Sequence, residues 1–93
     1  MKISSGLKHY LNEISKRYHE TIPLTEIFNA CKINMLFPIQ EDGSEWEGFV
    51  CGESGNVSIK LEDMNTGKKI RKCLQIQWYK MQSCKYEVNV YIL

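Results

Sequence analysis

The chain has 93 residues, a formal net charge of +1, 43% apolar residues and 25% charged residues. That length supports one domain, residues 1–93, with a single modest core, since a chain of this size buries roughly 60–65% of its unfolded surface. Near-neutrality excludes a strong overall pull toward nucleic acid or an anionic membrane, so only a local patch can supply one.

The first predicted element is a helix from about Ser5 to Glu20. Leu7, Tyr10, Leu11, Ile14 and Tyr18 recur at steps of three and four, which marks one buried face. Ser4 or Ser5 is placed to cap its start, because a serine oxygen accepts an orphan backbone N–H there. Thr21-Ile22-Pro23 breaks the helix. A shorter helix follows from Leu24 or Thr25 to Lys32, with Thr25 as its expected cap and Leu24, Ile27, Phe28 and Cys31 as its stripe. Two helices this short need a partner, and the apolar face of a sheet is the one available.

Met35-Leu36-Phe37 begins a first strand, and Pro38 confines it to an edge or a strand end. Gln40 to Glu45 reads as a loop, Glu47 to Cys51 as a short strand, and Val57 to Asp63 as a longer one. Apolar residues then alternate along Val57, Ile59, Leu61, along Ile70, Leu74, Ile76, Trp78, and along Tyr86, Val88, Val90, Ile92. This period of two predicts an antiparallel meander with one face on the core. Pairing Leu61 with Ile70 and Val57 with Leu74 leaves Met64-Asn65-Thr66-Gly67 as the first turn, with Gly67 where positive φ is needed. That register sets Glu62 against Lys69 and Asp63 against Lys68. Pairing Trp78 with Val88, Ile76 with Val90 and Leu74 with Ile92 leaves the three-residue turn Gln82-Ser83-Cys84, with Cys84 in a left-handed conformation usually given to glycine.

The expected fold is therefore α+β, two N-terminal helices packed on one face of a four- or five-stranded antiparallel sheet. The expected core is Leu7, Leu11, Ile14, Ile27, Phe28, Val57, Ile59, Leu61, Ile70, Leu74, Ile76, Trp78, Val88, Val90 and Ile92.

No apolar run in Met1 to His9 is long enough for a signal peptide, and no run of about 18 apolar residues spans a bilayer. The expectation is a cytoplasmic protein with no membrane partner. Cys31, Cys51, Cys73 and Cys84 then read as reduced thiols. They include no Cys-x-x-Cys pair, and the histidines lie far upstream, so no metal and no cofactor is expected. His9 and His19 stand ten residues apart, about 80° around one ideal helix, with no nucleophile motif beside them. These features predict a protein that is not an enzyme.

Charge is sorted along the second half. Glu41 to Asp63 holds seven acids and one base, Lys60, whereas Met64 to Tyr86 holds six bases and no acid. Two binding readings follow. In the first, Glu41, Asp42, Glu45, Trp46 and Glu47 form a protein-binding loop, because a tryptophan among acids near a turn is costly to leave exposed and is favoured at hot spots. The structural alternative is that Trp46 folds back to cap one end of the core. In the second reading, Lys60, Lys69, Arg71 and Tyr79 on the solvent face of the sheet hold phosphates and stack bases of a nucleic acid. Lys60, Glu62, Gln75, Gln77, Glu87, Asn89 and Tyr91 share that face.

Ile22-Pro23-Leu24-Thr25-Glu26-Ile27, with Lys32-Ile33-Asn34 and Gly48-Phe49, resembles the start of ImmA/IrrE-type metallopeptidases. The resemblance covers under a third of the chain. That family's His-Glu-x-x-His helix is absent, so neither the zinc site nor the peptidase activity carries over. Size and segregated charge instead look like those of small phage or mobile-element proteins, including anti-CRISPR inhibitors, a likeness of class rather than of motif. The expected partner is a protein or a protein–nucleic acid complex, with nucleic acid alone as the alternative. Self-association through the last strand's edge is the third arrangement considered.

Overall fold

The computed structural model describes residues 3–46 and 52–93. In chain order the elements are α1 (Ser5–Ser15), β1 (Tyr18–His19), α2 (Leu24–Ile33), β2 (Leu36–Ile39), β3 (Ser54–Asp63), β4 (Lys69–Lys80) and β5 (Tyr86–Ile92). The five strands form one antiparallel sheet in the order β1-β5-β4-β3-β2. Helix α1 packs against β5 and α2 against β2, and both lie on the apolar face. The α+β fold expected from the sequence is thus the fold observed. The strand expected at Glu47 to Cys51 lies outside the described residues, as do Glu47 and Cys51 themselves.

The helices form for the reasons their sequences suggest, with two corrections. Ser4 caps α1, its hydroxyl oxygen accepting the Leu7 N–H at 3.1 Å. The same hydroxyl donates to Asn34 Oδ1 at 2.6 Å, which ties the start of α1 to the end of α2. Helix α2 is capped by Pro23 rather than Thr25, and no side chain caps it. The larger correction is at the end of α1, which stops at Ser15 and not Glu20. The Val90 N–H donates to Ser15 Oγ at 2.9 Å, so the sheet holds that residue. Beyond it Arg17 N–H and His19 Nε2–H both donate to the Ile14 carbonyl, at 3.2 and 2.9 Å, closing the helix end. Tyr18 and His19 then pair with Glu87 and Tyr86. Sheet pairing satisfies backbone groups that would otherwise leave the β5 edge bare. Tyr18 is therefore 59% exposed instead of buried on a helix face.

Twelve of the fifteen expected core residues are fully buried, and Val57, Ile70 and Ile92 pack on them half-buried. Ile3, Leu24, Cys31 and Leu36 complete the cluster. Leu36 joins because α2 covers the edge strand β2.

The two hairpins differ in how closely they follow the alternation. In β4–β5 the pairs are Trp78 with Val88, Ile76 with Val90 and Leu74 with Ile92, as expected. In β3–β4 the expected register holds only beside the turn, where Glu62 faces Lys69 and the Asp63 N–H donates to the Lys68 carbonyl at 2.8 Å. Between Lys60 and Glu62 the register shifts, and from there Ile59 pairs with Leu74 and Val57 with Ile76. The shift is two residues on β4, so every apolar side chain keeps its face. It also brings Gly55 opposite Trp78, the position where the indole needs a residue without a Cβ.

Both turns use left-handed residues, Gly67 at φ 71° and Cys84 at φ 65°. A left-handed conformation costs a residue with a Cβ about 1 kcal/mol or more, which glycine avoids. Cys84→Gly is therefore expected to raise the unfolding free energy by about 1 kcal/mol, seen as a higher urea midpoint at unchanged slope. An unchanged midpoint would contradict the strain at this turn.

Candidate functional site

Residues directly opposite across paired strands share a face, so the register lays out the uncovered side of the sheet in rows. One row runs Ser54, Tyr79, Glu87, Tyr18; the next runs Asn56, Gln77, Asn89; the third runs Ser58, Gln75, Tyr91. The last rows hold Ile39 with Lys60, Cys73 and Leu93, and Phe37 with Glu62 and Lys69; Ile39 is buried there, beside the 40–46 hairpin. No described helix covers this side. Among the described residues seven large apolar side chains are exposed, and four of them, Tyr18, Tyr79, Tyr91 and Leu93, stand here. The two central rows carry no charge. Gln75 Nε2–H donates to Asn56 Oδ1 at 3.2 Å, which orients two of their amides. Tyr79 donates its hydroxyl to Glu87, and this bond is the main cause that holds its phenol above the usual range.

The proposed nucleic-acid set is divided by this layout. Lys60, Lys69 and Arg71 lie toward the β3–β4 turn, all exposed. Tyr79 lies six residues along β4 from Cys73, the partner of Lys60, which is about 20 Å at 3.3 Å per residue. Lys60 pairs with Glu41 at 3.5 Å, which neutralises part of the positive end. The Glu62–Lys69 and Asp63–Lys68 neighbours are not among the three ion pairs of the described residues.

The acidic loop closes on itself. Gln40 N–H donates to the Ser44 carbonyl at 2.8 Å, and Ile39 bridges to Glu45. Asp42 Oδ1 accepts from both the N–H and the hydroxyl of Ser44, at 2.9 and 2.6 Å, and these bonds hold its carboxyl below the usual range. Glu45 pairs with Lys32, whose ammonium also sits 5.6 Å from the Phe37 ring centre. Glu41 is the partner of Lys60. The Trp46 backbone N–H donates to the Pro38 carbonyl at 3.1 Å, and its side chain packs half-buried against the core. Of the two placements weighed for Trp46, the folded-back one is observed. Each acid of this loop that the structure describes has a partner within the chain, and the tryptophan is largely occupied.

The last strand is not a bare edge. β1 covers it at Tyr86 and Glu87, and Ser15 bonds its Val90 backbone. His19 belongs to β1 rather than to a helix with His9. Among the described residues no group of three or more His, Cys, Asp or Glu is placed to hold a metal. No described helix is long and apolar enough to cross a membrane.

The polar residues of the open face follow from the alternation, but Tyr18 does not, because its two-residue strand is too short to show one. The thiols divide by environment. Cys31 is fully buried, and loss of solvation pushes its pKa up to about 11, whereas Cys84 is exposed. At pH 8 roughly one Cys31 in a thousand is thiolate by that value, and the thiolate is the reactive form. Iodoacetamide on the folded protein is expected to label Cys84 and spare Cys31 until denaturant is added, read by peptide mass. Labelling of Cys31 at the rate of Cys84 would contradict the packing of α2.

The chain matches no protein-family model, no curated protein and no solved structure.

Proposed function

We propose that this chain is a non-enzymatic, cytoplasmic binding protein that acts by occupying a macromolecular partner, and that a protein surface docks on the open face of the sheet. The observation that carries this reading is the uncharged centre of that face. Asn56, Ser58, Gln75, Gln77 and Asn89 lie between Tyr79, Tyr91 and Tyr18. Interface centres are depleted in charge and enriched in tyrosine, and paratopes join tyrosine to serine and asparagine. A nucleic-acid strand instead needs cations along its track, and here they gather at one end. An inhibitor from a phage or mobile element, of the anti-CRISPR kind, is part of the same proposal, supported by size and segregated charge.

A pull-down from host lysate, with and without nuclease, identifies the partner. The expected partner is a protein that survives nuclease. Its affinity should change only a few-fold between 50 and 200 mM salt and should persist in a Lys69→Glu/Arg71→Glu variant. Loss of orders of magnitude in affinity over that salt range, together with loss in the variant, would replace this reading with nucleic-acid binding.

A further inference from the structure

The border row of the open face differs from the two central rows in carrying one charge. Glu87 stands on β5 between Tyr79 of β4 and Tyr18 of β1, its direct partner on each side. Partners across strands hold their Cβ atoms about 5 Å apart, so one carboxylate is flanked by two rings. The side chains meet as well as the backbones. The Tyr79 hydroxyl donates to Glu87, and that bond leads the causes that hold the phenol above its usual range, with loss of solvation, the Glu87 charge and Tyr18 adding to it. Tyr18 is 59% and Tyr79 45% exposed, so both rings are open to a partner. Glu87 makes none of the three ion pairs of the described residues, and neither does the exposed Lys85, two residues along β5 on the same side.

We propose that the row Tyr18–Glu87–Tyr79 receives an arginine side chain of the protein partner, its guanidinium paired with the Glu87 carboxylate and stacked on the Tyr18 ring. The inference rests on the open face being the docking surface and names the group that reaches its border. The chemistry of the row selects this group. A carboxylate offers about four acceptor sites, and Tyr79 takes one of them. Ring faces beside a carboxylate attract a cation. A guanidinium is planar, presents a fork to a carboxylate, stacks on aromatic rings and is less tightly hydrated than an ammonium. An anionic group would be repelled here, and a neutral one would leave Glu87 without a charged donor. A single pair of this kind accords with a salt dependence of only a few-fold.

The first test needs no partner. The 15N-labelled protein is titrated with the peptide acetyl-Gly-Arg-Gly-amide and with its citrulline counterpart, which keeps the shape and lacks the charge. Saturable amide shifts in the millimolar range, centred on Tyr18, Tyr79 and Glu87, are expected with the arginine peptide. The citrulline peptide should bind at least tenfold more weakly. Glu87→Gln should weaken the arginine peptide at least fivefold while keeping a native spectrum, because the carboxamide oxygen still accepts from Tyr79. No saturable shift, equal binding of citrulline, an unaffected Glu87→Gln, or shifts centred on Glu13 and Glu26 of the helices would each overturn the proposal. The second test uses the purified partner, whose affinity Glu87→Gln should lower about tenfold. If Tyr79→Ala and Tyr91→Ala weaken the partner and Glu87→Gln does not, the arginine is overturned and the open face stands. If neither tyrosine variant weakens it, the open face itself fails as the docking surface, and the arginine falls with it.

Discussion

Trp78→Ala is expected to lower the unfolding free energy by about 3–5 kcal/mol, the cost of deleting a large buried ring. A domain of this length is stable by about 5–14 kcal/mol in total, so the loss is a large share of the whole and should appear as a clearly lower urea midpoint. Trp78 is 3% exposed and sits between Gly55 on β3 and Val88 on β5, where its indole covers the glycine backbone. The reciprocal change tests the same packing. A Cβ at position 55 would lie 2.7 Å from Trp78 Cε2 and 2.9 Å from Cη2, closer than real Cβ contacts come. Gly55→Val must therefore displace the ring, at about 1–3 kcal/mol. In a Trp46→Phe background the emission of Trp78 should shift to the red in Gly55→Val, and chemical denaturation should show the matching loss. A stable Gly55→Val with unshifted emission would mean that the strands do not pair in this register.

The largest functional effect is expected from the tyrosines of the open face. Tyr79→Ala and Tyr91→Ala should each weaken partner binding by about 30-fold or more, the scale of an interface hot spot at 2 kcal/mol. Both side chains are 45% exposed, so the unfolding free energy should change by less than about 0.5 kcal/mol for either. Competition binding of the purified variants, beside their urea curves, separates affinity from stability. The exposed Ile33, Met35 and Met64 lie outside the two uncharged rows, at the end of α2 and beside the β3–β4 turn, and their alanine variants should bind as the parent does. If those three lose binding while both tyrosine variants keep it, the interface lies at that corner.

The fold was legible because most of the sheet repeats one instruction. From Leu74 to Trp78 and from Val88 to Ile92 every second residue is apolar, and a slip of one would bury the amides of the open face. The three-residue turn at Gln82-Ser83-Cys84 then allows one register, even though Cys84 is an unfavourable residue for it. The β3–β4 register was only half legible, since alternation is unchanged by a shift of two. The missing cue was Gly55, a small residue that can face a tryptophan. Tyr18 escaped because its spacing from Ile14 suits a helix as well as a strand, and the choice is made by Ser15 bonding to Val90, 75 residues away. The acidic loop was visible as charge, but its closure was not. Lys32 reaches Glu45 only once the 40–46 hairpin folds back toward α2, and Lys60 reaches Glu41 only once β2 and β3 are side by side. The open face could be listed in advance as polar residues, yet its uncharged centre and tyrosine borders became apparent only when the strands were ordered.

Backbone exchange is a poor reporter of docking on this surface, because the strands already bond their amides to one another. Hydroxyl-radical footprinting reads side chains, and tyrosine, methionine and tryptophan are among its reactive targets. With the purified partner bound, Tyr18, Tyr79 and Tyr91 should be protected together, while Met35, Met64 and Trp46 keep the reactivity they have in the free protein. Protection of Trp46 and the 40–46 hairpin, with the three tyrosines still fully reactive, would contradict the assignment of the open sheet face as the binding surface.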